Sequence, residues 1–181
     1  RLRARPSLPL ALLVAAASGA LLSMAFPPVS AWPIAFVALA PLVWLLLDDV
    51  GPARGLALGF VFGLAFHGAT LYWIRRFGEL GWVALTVVSA SWVAVFGALV
   101  PALRRPGRPV ITAIGIASAW TVLEWVKGMW PLGGFTWGTI GVSQVGNPAT
   151  VRLATIAGVW GVTFAVVMVN AALAVLAGGG A

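Results

Sequence analysis

Leu80–Leu103, LGWVALTVVSASWVAVFGALVPAL, carries no charged side chain along its whole length. At about 1.5 Å of rise per helical residue, the run is long enough to cross about 30 Å of hydrocarbon. It lacks the alternation of a barrel strand, and an open strand would leave its backbone groups unpaired in lipid. A membrane-spanning helix is therefore expected. Similar apolar runs lie on both sides, approximately Leu8–Phe26, Ala31–Leu47, Gly55–Ile74, Val110–Val126 and Leu153–Ala177. Together they predict an all-α, polytopic transmembrane bundle of about six spans, organised as a single domain over residues 1–181, with an interfacial or re-entrant loop over 128–150.

Composition points the same way. With 61% hydrophobic and 8% charged residues, the chain has too little polar side chain to cover a water-soluble globule. The net charge of +7 would suggest nucleic acid in a soluble protein, but here the basic residues sit in short clusters between apolar runs, where they signal topology. Nucleic-acid binding is not expected. The absence of cysteine rules out disulfides, thiolate metal sites and a cysteine nucleophile within this chain, and no cofactor is called for.

The first apolar run follows Arg1, Arg3 and Arg5 as a secretory signal would, yet Phe26-Pro27-Pro28 comes next in place of a small-residue cleavage site. It reads as a retained helix. The short link to Ala31 predicts a tight antiparallel hairpin, since the proline pair blocks continuation of the first helix. With the N-terminus in the cytoplasm, the inner segments hold Arg1, Arg3, Arg5, Arg54, Arg104, Arg105 and Arg108, and the outer ones hold Arg75, Arg76, Lys127 and Arg152. Seven against four favours that orientation. An arginine start and the small-residue run Ala177–Ala181 are the ends expected of a piece of a longer chain.

Polar residues inside such a chain need physical reasons. Gly55, Gly59 and Gly63 recur every four residues, as in a helix seam where two backbones approach closely. His67 extends the series and is expected to be a buried hydrogen-bonding group; a proton carrier is the alternative. Asp48 and Asp49 are expected to end the second helix in solvent. Tyr72, Trp73, Arg75 and Arg76 suit an interfacial anchor, and an arginine in that place also offers a planar pair of donors to a phospholipid phosphate. Both readings stay open.

The run Trp120–Gln144, WTVLEWVKGMWPLGGFTWGTIGVSQ, is the least ordinary. Glu124 and Lys127 are three residues apart, so they share one helix face, where an ion pair would partly neutralise both. The glycines and prolines that follow forbid a regular helix, while Trp130, Phe135, Trp137 and Ile140 are too apolar for a solvated loop. Such a segment belongs in the interface or re-enters the bundle, where its tryptophans would line a path for acyl chains beside Glu124 and Lys127.

These residues resemble a known family. Glu124, Trp125, Lys127 and Gly128, followed by Gly134, Phe135, Trp137, Gly141, Ser143 and Gln144, are similar in order and spacing to the patterns E-x-x-R-G, G-F-P-W and G-x-S-Q of the N-terminal membrane domain of bacterial apolipoprotein N-acyltransferases. Phe26-Pro27-Pro28 before Trp32-Pro33, Tyr72-Trp73, Leu153-Ala154, Gly158-Val159 and Thr163-Phe164 extend the resemblance over nearly the whole chain. Lys127 stands where arginine is usual and Thr136 where proline is usual; the lysine keeps the charge but lacks the guanidinium fork.

The resemblance implies an acyl transfer. In the family a periplasmic nitrilase-like domain supplies a cysteine nucleophile, a glutamate base and a lysine that stabilises the tetrahedral intermediate. The cysteine takes an acyl chain from a phospholipid as a thioester, then passes it to the α-amino group of a diacylglyceryl-cysteine apolipoprotein. That domain would follow residue 181, so no catalytic residue is assigned here and Glu124 is not the family's catalytic glutamate. The resemblance implies a multi-pass protein of the bacterial cytoplasmic membrane that anchors the catalytic domain among membrane lipids and admits the phospholipid donor and apolipoprotein acceptor. Tyr72, Trp73, Arg75, Glu124, Lys127, Phe135, Trp137 and Gln144 are the candidate lipid contacts. A small transporter or channel lined by His67, Glu124 and Lys127, and a non-catalytic membrane anchor of a glycosyltransferase, are the rival expectations.

Overall fold

A computed structural model describes residues 6–48, 50–131 and 133–178. Arg1, Arg3, Arg5 and Asp49, used above for orientation and helix ending, lie outside the described residues. Among the described residues the structure is helical without strands: α1 (Leu8–Ser23), α2 (Ala35–Ala38), α3 (Ala40–Leu46), α4 (Pro52–Thr70), α5 (Glu79–Leu103), α6 (Pro109–Lys127) and α7 (Pro148–Ala177), with 3₁₀ turns at Trp32–Ile34, Tyr72–Phe77 and Ile140–Gly146. The helices close a ring in the order α1, α4, α5, α6, α7, α3. Phe62, Phe66, Phe96 and Trp120 meet at its centre, with Trp120 edge-on to Phe62 and Phe96 at centroid distances of 6.3 and 4.9 Å.

Outside the ring the helices expose Leu10, Leu13, Val83, Val110, Ile156 and Leu176, an apolar surface that only lipid solvates without penalty. The chain is a helical membrane bundle. Helices α5, α6 and α7 are each long and apolar enough to span a bilayer, whereas α1 and the Trp32–Leu46 segment are shorter.

Five of the six expected runs are helices with shifted ends. Helix α1 stops at Ser23, and the chain turns back through Pro27-Pro28. Helix α4 stops at Thr70, so Tyr72–Phe77 forms a separate turn and is not the last turn of that helix. Helix α7 begins at Pro148, earlier than expected, because the Asn147 side chain accepts the Ala149 N–H at 3.2 Å and Pro148 occupies the first turn. The helix then bends at Gly158, whose φ of 63° and ψ of −168° are not helical.

The second run differs most. It is a 3₁₀ turn followed by two short helices that break at Leu39. Pro41 has no N–H to continue the ladder, and Asn170 on α7 supplies what the break removes. Its Oδ1 accepts the N–H groups of Leu39 and Ala40, both at 2.9 Å, and its Nδ2 donates to Ala35 O at 2.8 Å. Ser18 on α1 donates to Ala38 O. The partners lie on other helices, far away in sequence, so local periodicity does not announce the break.

The Gly55, Gly59, Gly63 seam is present and faces α5. A Cβ on Gly59 would fall 2.2 Å from Val93 O, and one on Gly55 would fall 2.3 Å from Gly97 O. The backbones therefore approach to a separation that no side chain permits.

Candidate functional site

Helices α1, α4 and α6 end, and α5 and α7 begin, at one end of the bundle. The expected loop closes that end. It leaves α6 by a tight return in which Phe135 N–H donates to Lys127 O at 2.8 Å and Gly134 N–H to Pro131 O at 2.9 Å. Gly134 has φ +91°, and a Cβ there would fall 2.0 Å from Gly128 O, so the return requires glycine twice over. The chain then dips back into the bundle, where Ile140, Ser143 and Gln144 are buried in the 3₁₀ turn.

Glu124 and Lys127 are what hold it there. Both are buried, with 6% and 4% of their surfaces exposed, so they do not sit in water or among headgroups as a helix-end pair would. Nor do they form a direct ion pair; among the described residues only Arg75 and Glu79 do. Instead each grips the loop. Glu124 Oε1 accepts the Ile140 N–H at 2.9 Å, and its Oε2 accepts the Thr163 hydroxyl of α7 at 3.0 Å. The same hydroxyl accepts the Gly141 N–H at 3.0 Å, which makes a relay from loop to helix to carboxylate. Lys127 Nζ donates to Trp137 O at 3.1 Å. Both carboxylate oxygens accept and the ammonium donates, as each side chain's chemistry requires. The lysine is a point donor to a single carbonyl, a task that does not call for a guanidinium fork.

His67 stands on the inner side of this clamp. Its Nδ1 donates to Gly63 O at 3.2 Å, and its ring lies 4.6 Å from that of Phe66, which is the buried hydrogen-bonding role. With Glu124, Lys127 and Trp120 it lines a cavity of about 20 Å³, space for roughly one water. The three polar groups of the transporter reading thus converge on a small chamber.

The outer side of the loop presents Trp137, which is 55% exposed. Its ring lies 4.7 Å from that of Trp73, a pairing of residues from separate turns. Around them is a groove of about 370 Å³ lined by Phe26, Pro27, Thr70, Trp73, Trp137 and Val142. A larger groove of about 1180 Å³ runs beside it along Pro28, Tyr72, Arg75, Arg76 and Phe77. Arg75 is committed to its own turn and to the start of α5. It pairs with Glu79, donates to the Tyr72 hydroxyl at 2.7 Å, and lies over the Tyr72 and Trp82 rings at 4.9 and 5.3 Å. The hydrogen bond to Glu79 raises the guanidinium above its usual pKa.

The structure therefore sorts the sequence candidates into groups. Tyr72, Trp73, Arg75 and Trp137 border the grooves; Glu124 and Lys127 lie behind the loop and hold it. Phe135 is half-buried and lines neither groove. Gln144 is buried and braces the loop to the first hairpin, donating from Nε2 to Trp32 O at 3.0 Å and to Ser143 Oγ at 2.9 Å. Thr163 and Asn170 were not singled out as site or bracing residues from the sequence. A polar side chain in the middle of the apolar α7 is the signal that would have found Asn170.

Residues 18–172 match the family model described as the apolipoprotein N-acyltransferase N-terminal domain. Curated apolipoprotein N-acyltransferases are similar along most of this chain. Those of Photobacterium profundum and Geobacter metallireducens are each 34% identical, over 174 residues covering 90% and 170 residues covering 89% of the chain. The protein of Azotobacter vinelandii is 34% identical over 173 residues, 89% of the chain. These alignments take in 33%, 32% and 33% of the relatives' own lengths, so the chain spans about a third of each. A re-entrant tryptophan loop, clamped by an acid and a base from one helix of a membrane bundle, is thus carried by a chain that belongs to the apolipoprotein N-acyltransferase N-terminal domain family.

Proposed function

We propose that this chain is the membrane part of an acyltransferase that moves an acyl chain from a phospholipid to the N-terminal diacylglyceryl-cysteine of apolipoproteins. The chain contains no cysteine, so the thioester would form on a nitrilase-like domain outside it. This part anchors that domain and admits the two lipidated substrates from the side. The observation that carries the reading is the Trp137 loop: an aromatic edge held from behind by Lys127, packed at a tilt against Trp73, beside grooves open at the bundle's end. Rigid support behind an exposed ring is what substrate positioning needs, because small misplacements of a reacting group are costly in rate.

Six crossings with the N-terminus in the cytoplasm would put the loop at the outer face of a bacterial cytoplasmic membrane. The distribution of free positive charge supports this orientation. Arg54, Arg104, Arg105 and Arg108 lie at the end opposite the loop, against Arg76 and Arg152 as exposed cations at the loop end, where Lys127 is buried in the clamp and Arg75 is paired with Glu79.

The test uses the enzyme with its catalytic domain. Trp137→Ala is expected to slow acyl transfer about tenfold or more through misplacement of substrate, while thiol labelling of the catalytic cysteine proceeds as before. Unchanged turnover in native lipid would refute the role.

A further inference from the structure

The two grooves at the loop end adjoin, since Pro27, Thr70 and Trp73 line both. Their characters differ. The smaller is walled by Phe26, Trp137 and Val142, and the larger carries Arg75, Arg76 and Glu79. Within the larger groove the charges do not act alike. Glu79 and Arg75 are paired with each other, and Arg75 spends its other donor edge on Tyr72 and its face on two rings. Arg76 is exposed and has neither an ion pair nor a side-chain hydrogen bond among the described residues. The groove thus presents one uncommitted guanidinium, with an excess charge of one, and adjoins a groove that is aromatic and apolar.

We infer that the two grooves are one binding site for a phosphate-bearing acyl lipid, in which Arg76, and not Arg75, takes the phosphate and the Trp73–Trp137 edge receives an acyl chain. The inference rests on the reading that this domain admits phospholipid, and adds where the lipid lies and which residue selects it. A guanidinium without a partner matches the planar pair of oxygens on a phosphate. A free anion would leave the aromatic trough empty, and a neutral acylglycerol would leave Arg76 without a partner. Only an amphiphile with an anionic head uses both ends.

The full chain in detergent micelles provides the test, with bound lipid counted by native mass spectrometry and affinities measured for dioctanoyl phosphatidylglycerol, dioctanoylglycerol and inorganic phosphate. Arg76→Ala is expected to weaken phosphatidylglycerol binding about tenfold and to leave dioctanoylglycerol binding unchanged. Arg76→Lys should lose less than about threefold, since charge is kept and only the fork is lost. Trp137→Ala should weaken both lipids. Unchanged phosphatidylglycerol affinity in Arg76→Ala overturns the assignment, as does an equal loss for dioctanoylglycerol, which would mark a structural effect. Displacement of the lipid by inorganic phosphate at equal concentration would make this a free-anion site and also overturn it. Binding is read without turnover; a protein that holds phospholipid as described, yet transfers acyl chains independently of Trp137, supports this site and overturns the positioning role of that residue.

Discussion

The α4–α5 seam and the α6–loop–α7 clamp solve the same problem, holding segments together where water offers no hydrophobic drive, by opposite means. Along α4 the glycines remove side chains altogether, so that backbones touch and dispersion does the work. At the clamp, buried polar side chains reach across to backbone groups that the loop cannot satisfy itself. The first solution produces a smooth, sealed contact. The second tolerates irregular backbone at a depth where it would otherwise be too costly, and so allows a loop that leaves Trp130 and Trp137 exposed.

Substitutions separate the two devices. The largest effect is expected at the seam: Gly59→Leu drives a side chain into the Val93 carbonyl and should cost about 3 kcal/mol or more, because overpacking against backbone cannot be relieved by a rotamer. Unfolding in SDS titration would read it, and a variant as stable as the parent would break the view of the seam as a backbone contact. Asn170→Leu keeps the volume but strands the N–H groups of Leu39 and Ala40 and the carbonyl of Ala35. A loss of about 2 kcal/mol is expected in the same titration, with faster amide exchange confined to residues 35–46. Exchange spread evenly over all helices would show that Asn170 does not act at the break.

The smallest stability change is expected from Glu124→Gln, about 1 kcal/mol. The amide keeps one acceptor oxygen but turns its NH₂ towards a donor, either the Ile140 N–H or the Thr163 hydroxyl. Exchange and protease cleavage across Gly128–Gly146 should rise while α4 and α5 stay protected. In the enzyme with its catalytic domain, the acyl-enzyme should still form. A normally inserted Glu124→Gln variant that lacks only that step would place Glu124 in the chemistry and not in the clamp.

The seam was legible in the sequence and the clamp only partly so. Four-residue glycine spacing is a local pattern whose meaning does not depend on which helix answers it. Glu124 and Lys127 stood out because charge in an apolar span is costly, and their spacing suggested that they face each other. In the structure they face the loop instead, Glu124 accepting the Ile140 N–H and Lys127 donating to the Trp137 carbonyl, so that each buried charge is hydrogen-bonded without a direct ion pair. The break at Leu39 was illegible for a related reason: Pro41 is visible locally, but the Asn170 that makes the break affordable is not. The two arginines were adjacent and equivalent in sequence, and the 3₁₀ turn at Tyr72–Phe77 made them different by pointing one at Glu79, Tyr72 and Trp82.

By itself, the sequence determined that this is a helical membrane bundle, where its apolar runs lie, and the family to which its loop motifs point, because hydrocarbon thickness and backbone satisfaction leave few options for so apolar a chain. Only the tertiary structure decided which groups meet: that Glu124 and Lys127 hold a loop, that Trp137 packs against Trp73, and that Arg76 is left uncommitted beside them. Those pairings join residues from separate helices and turns. Their energies depend on a few tenths of an ångström of approach between elements whose relative placement no local pattern encodes.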